Sequence, residues 1–77
     1  MTSDLFSPLT KKDELYNFIR DGGWRRTSEI IAWGSRNYYN RAERTARDLA
    51  TEGKIRRMPE ELKKLRFHTR EEVWEVI

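Results

Sequence analysis

Cysteine is absent from the 77-residue chain, so neither a disulfide nor a thiolate metal site can supplement its core. Histidine occurs once, as His68, and a single imidazole without cysteine cannot assemble a His/Cys metal set. Long apolar runs are also missing. No stretch approaches the roughly 20 residues that span a membrane. The opening MTSDLFSPL lacks the basic and apolar blocks of a signal peptide, so the cytoplasm is the expected compartment. No internal repeat or low-complexity tract is visible, and no phosphate-cradling glycine pattern surrounds Gly22-Gly23. The carboxylate pairs Asp13-Glu14, Glu60-Glu61 and Glu71-Glu72 are adjacent in sequence, which splays them apart on a helix or strand. His68 beside Glu71 and Glu72 is the one base-and-orienter pair that can be drawn, and a lone loop histidine beside surface glutamates is ordinary. Neither catalysis nor a cofactor or metal is expected.

What is present is aromatic surface and positive charge. Three Trp, three Tyr and three Phe are a generous supply for one small domain, which buries only about 60% of the surface its unfolded chain exposes. The net charge is +3, and its distribution is uneven. Residues 1–35 are neutral overall. Residues 36–66 carry Arg36, Arg41, Arg44, Arg47, Lys54, Arg56, Arg57, Lys63, Lys64 and Arg66 against half as many acids. The last eleven residues are net acidic. A central basic segment of this kind is the electrostatic footprint of polyanion binding.

Residues 1–9 read as a flexible leader and residues 10–77 as the domain. Thr10 offers an N-cap with Asp13 three residues on, a capping box with the shorter acid. Leu15, Phe18 and Ile19 then share one face, predicting a first helix over 11–21 that Gly22-Gly23 stops. Trp24-Arg25-Arg26 is a short extended bridge. Thr27 or Ser28 can cap a second helix, SEIIAWG, with Gly34 placed to close it in the left-handed conformation. After the connector SRNYYN, a third helix is expected from Tyr38 or Tyr39 to Thr51, with Ala42, Ala46, Leu49 and Ala50 inward and Gly53 ending it. Lys54–Met58 reads as a strand broken by Pro59. Thr69 with Glu72 could open a helix, but the β-branched and aromatic residues that follow favour a return strand over 72–77. The connection between the two strands is expected to be a loop with a helical turn at 60–64. The three tryptophans, Trp24, Trp33 and Trp74, are expected to pack inward, as is one of Tyr38 and Tyr39.

Three stretches of this pattern, GGWRRTSEI, RTARDLATEGKIRR and EVWEV, carry a resemblance to the winged helix-turn-helix superfamily of nucleic-acid-binding domains. The first looks like the short strand and start of helix 2. The second is similar to a recognition helix running into the first wing strand, and the third to the return strand. The resemblance implies an α+β fold with three helices and a small antiparallel β-hairpin wing at the C-terminus. It also implies that the third helix enters the major groove of double-stranded DNA.

At about 100° per residue, Arg41, Arg44 and Arg47 fall opposite the apolar stripe of that helix, with Asn40 in the same arc and Asn37 joining it if the helix starts early. Arg can bond guanine O6 and N7 together, and Asn can do the same for adenine N6 and N7. On the groove placement that the resemblance implies, Asn40, Arg41 and Arg44 are candidate base contacts. Arg25, Arg26, Arg36, Arg47, Lys54, Arg56 and Arg57 are candidate phosphate contacts. Glu43 and Asp48 interrupt the positive field, and Glu60 and Glu61 oppose phosphate contact beyond Pro59. The expected function is a small transcriptional regulator. Modules of this size bury roughly 600–1,000 Å² on DNA, which suits a homodimer on a two-fold site. The alternative is a winged helix that binds protein, as a subunit or inhibitor of a larger assembly, which would expose Trp33, Trp74, Phe67 or the tyrosines as an apolar patch. RNA is not separated from DNA by these residues.

Overall fold

The computed structural model describes residues 10–77, so the expected leader at 1–9 lies outside the described residues. Thr10 caps the first helix, α1 (Lys11–Gly22): its hydroxyl accepts from the Asp13 amide at 3.1 Å and Asp13 accepts in return from the Thr10 amide. Leu15 and Ile19 on one side of α1 are fully buried. Gly23, at φ 74, turns the chain out of the helix, a conformation that costs glycine little. Strand β1 (Trp24–Arg26) runs directly into α2 (Thr27–Arg36). A five-residue turn then leads to α3 (Ala42–Thr51), whose buried side is Ala42, Thr45, Ala46 and Leu49. Gly53, at φ 79, closes α3 and starts β2 (Ile55–Arg57), which is followed by α4 (Glu60–Arg66) and β3 (Val73–Val76).

The result is α+β, with four helices and a three-stranded antiparallel sheet among the described residues. β3 lies in the middle of the sheet, with β1 and β2 on either side: Arg25 pairs with Trp74, and Ile55 with Val76. The helices pack on the sheet around Leu15, Ile19, Ile30, Trp33, Ala46, Leu49, Ile55 and Trp74. Phe18 stacks on Trp33 at 5.8 Å, and Tyr39 meets the same indole edge-on at 6.3 Å.

Four details differ from the sequence expectation. The C-terminal element is not a two-stranded hairpin wing, because the bridge Trp24–Arg26 pairs with β3 as a third strand and the β2–β3 connection folds into α4. Second, Gly34 does not end α2. It remains helical because α3 crosses there: a methyl group on Gly34 would collide with the Tyr39 carbonyl oxygen and sit 2.9 Å from Ala42 Cβ. The helix continues to Arg36, and the left-handed residue of the turn is Tyr38, at φ 56. Third, α3 starts at Ala42 rather than at a tyrosine, since Asn37 folds back to donate its side-chain amide to the Trp33 carbonyl at 2.8 Å. Fourth, neither Thr27 nor Ser28 caps α2. The Thr27 hydroxyl donates to the Glu72 carbonyl and accepts from Trp74 Nε1, and the Glu71 carboxylate takes up the Ser28 amide at 2.6 Å. That carboxylate also offsets the partial positive charge at the start of α2.

Candidate nucleic-acid interface

The inward residues of α3 fix which side chains face water. With 42, 45, 46 and 49 buried, Arg44, Arg47, Asp48 and Thr51 are exposed. Arg36, the last residue of α2, and Asn40 and Arg41, in the turn before α3, are exposed as well. Asn40 and Arg41 therefore lie at the N-terminal approach to α3 rather than on its face, with Arg41 in the N-cap position. A cation there opposes the helix dipole, which favours acids at this end. Together with the free amides of the first turn it concentrates positive potential where α3 begins. Asn37 is half-buried, and its side-chain amide is engaged in capping α2.

The basic residues expected to contact DNA fall into three groups. Arg36, Arg41 and Arg44 form no ion pair among the described residues. Arg47, Arg56 and Arg57 line one groove between α3 and β2, together with Thr51, Ile55 and Ile77. Each has a carboxylate partner: Glu43 at 3.0 Å, Glu75 at 2.8 Å and Glu72 at 3.9 Å. Lys54 approaches Glu52 at 3.7 Å, and Glu52 also binds Lys12. Exposed pairs of this sort contribute about 0–1 kcal/mol each, so exchange for a phosphate costs little. Arg25 and Arg26 lie on β1, at the opposite edge of the sheet from β2. The Arg25 guanidinium lies 3.8 Å above the Phe18 ring and donates to the Phe18 carbonyl at 2.9 Å, which makes it part of the protein's own packing. Arg26 pairs with Glu29.

Periodicity did not single out a second basic group, on and after α4. The Lys63 side chain is 2% exposed; its ammonium donates to Glu60 at 2.9 Å and to the Arg70 carbonyl at 3.4 Å. Glu60 is thereby held below the usual carboxylate range, first by the hydrogen bond from Lys63 and then by its charge. Lys64, Arg66 and Arg70 form no ion pair among the described residues, so with Lys63 on Glu60 the cations outweigh the acids expected to oppose phosphate beyond Pro59. The i, i+3 spacing of Glu60 and Lys63 was the available signal. Glu52 is likewise lowered by its hydrogen bond from Lys12, and Lys12 is raised by the same contact.

The aromatic residues sort by burial. Trp33 and Trp74 are buried at 7% and 2% exposure, and Phe67 is half-buried. Tyr39 closes the core edge, its hydroxyl bonded to that of Thr45. Tyr38 is 98% exposed. No group of three or more His, Cys, Asp or Glu side chains is placed to hold a metal ion among the described residues, and none of their helices is long and apolar enough to cross a membrane. Comparison with known proteins finds no matching family model, no matching curated protein and no matching solved structure.

Proposed function

We propose that this chain is a DNA-binding protein of the winged helix kind, a small transcriptional regulator that lays α3 in the major groove. The observation that carries the reading is the trio Arg36, Arg41 and Arg44. These arginines stand exposed around the start of α3, without an ion pair among the described residues, while most neighbouring cations have carboxylate partners. The chain order of helix, short strand, helix, helix, strand and return strand supports the same reading, with α4 inserted between the last two strands. Asn40, Arg41 and Arg44 then contact base edges. Arg36, Arg47, Lys54, Arg56 and Arg57 contact phosphates, the last two across the groove that joins β2 to α3.

The protein-interaction alternative has less to stand on, because Trp33 and Trp74, which would anchor such a patch, are buried. A homodimer on a two-fold site remains the natural way for so small a module to gain contact area.

Anisotropy titrations of paired variants test the proposal. Arg44→Ala is expected to cost about 1–3 kcal/mol on the preferred sequence and to relax base preference. Arg57→Ala is expected to weaken all sequences alike and to make the salt dependence shallower. Failure of the wild-type protein to bind any duplex at roughly 50 mM salt, where phosphate contacts are strongest, rules the proposal out.

A further inference from the structure

Two consecutive tyrosines have opposite surroundings. Tyr39 packs on Trp33 and bonds Thr45, whereas Tyr38 is 98% exposed and leaves both faces of its ring in water. The Tyr38 backbone is left-handed, at φ 56, a region that asparagine or glycine occupies with less strain than tyrosine. The turn that imposes this conformation is fastened on both sides. The Tyr38 amide donates to the Ser35 carbonyl at 3.3 Å, the Tyr39 amide to Gly34 at 2.7 Å, and the Asn37 side chain to Trp33. A rigid turn thus projects a large aromatic ring that does nothing for the fold. Its flanks are Arg36 and Arg41, both exposed and unpaired among the described residues.

We propose that Tyr38 is a stacking platform for an unpaired base, so that this surface grips most tightly a duplex carrying a bulged or displaced nucleotide. The inference rests on the nucleic-acid reading above. Stacking on an aromatic ring needs a free base face, and in a closed duplex neighbouring bases cover those faces. The flanking Arg36 meets a phosphate beside the displaced nucleotide, which helps to hold its base over the ring.

The test compares a fully paired duplex with the same duplex carrying one bulged nucleotide, titrated with wild type, Tyr38→Phe and Tyr38→Asn. Asparagine keeps the left-handed turn and removes the ring. Wild type and Tyr38→Phe are expected to favour the bulged duplex about tenfold, within the range of one aromatic–base stack. Tyr38→Asn is expected to lose that preference while binding the paired duplex as wild type does. A wild type without the preference, or a Tyr38→Asn variant that keeps it, overturns the inference and leaves the DNA reading standing. Equal losses in Tyr38→Phe and Tyr38→Asn also overturn it, since the hydroxyl and not the ring would then make the contact. If no protein binds either duplex, the nucleic-acid reading itself fails.

Discussion

Arg44 and Arg47 lie three residues apart on the same exposed side of α3, yet among the described residues only Arg47 has a carboxylate, Glu43, to hold it. Freeing Arg47 by Glu43→Gln is therefore expected to tighten DNA binding modestly, read as a lower Kd at low salt, with little change in melting temperature, because exposed i, i+4 pairs contribute only about 0.3–0.5 kcal/mol. Tyr38 presents the reverse case, a residue whose cost to the fold is visible. Replacing it by asparagine is expected to raise stability by roughly 0.5–1 kcal/mol in urea denaturation, as the left-handed strain is relieved and no packing is lost. Gly34 is small because another helix needs its space. Gly34→Ala is expected to destabilise by about 1–3 kcal/mol, through overpacking against the Tyr39 carbonyl and Ala42, and to shift NMR signals across the α2–α3 crossing.

At the scale of elements, α4 is held by its buried lysine more than by its own propensity, since seven residues cannot sustain a helix in water. The Glu60–Lys63 and Glu52–Lys12 contacts make an acid-dependent contribution. Both glutamates have folded pKa values below their ordinary 4.5, so the stability they add is present above that pH and is lost as pH falls through the lower folded value. Lys12 is raised above 10.5, so its share is complete below that pH and is lost only as pH rises through the higher folded value. The Glu52→Gln/Glu60→Gln double variant is expected to show a flatter fall of Tm below pH 4.5 than wild type. The elements legible in the sequence were those fixed by neighbours. The Thr10–Asp13 box, the inward stripe of α3 and the return strand β3 are of this kind. Features set by distant partners were not legible. The Glu71 contact that caps α2 comes from 43 residues away, and the role of Gly34 exists only once α3 crosses it. The same division holds at the site: helical periodicity points Arg44 and Arg47 outward, but the pairing of Arg56 with Glu75 follows from the β2–β3 register.

Across the whole molecule one core joins sheet and helices, so stability is shared rather than local. Leu15, fully buried in α1, touches that common core, and Leu15→Ala is expected to cost about 2–5 kcal/mol, a large part of the stability of so small a domain. The charge is less evenly shared. Among the described residues, arginines without an ion pair gather around the α2–α3 turn, and paired ones line the groove toward β2. On the proposed function, the α2–α3 turn and this groove bind DNA. The most direct test is an NMR titration of the protein with a mixed-sequence duplex, repeated as salt is raised. The expected result is amide shift changes confined to residues 36–57 that fade steeply with salt, as counterion release requires. An absence of shift changes at low salt, or changes centred on α1 and β1 instead, would contradict it.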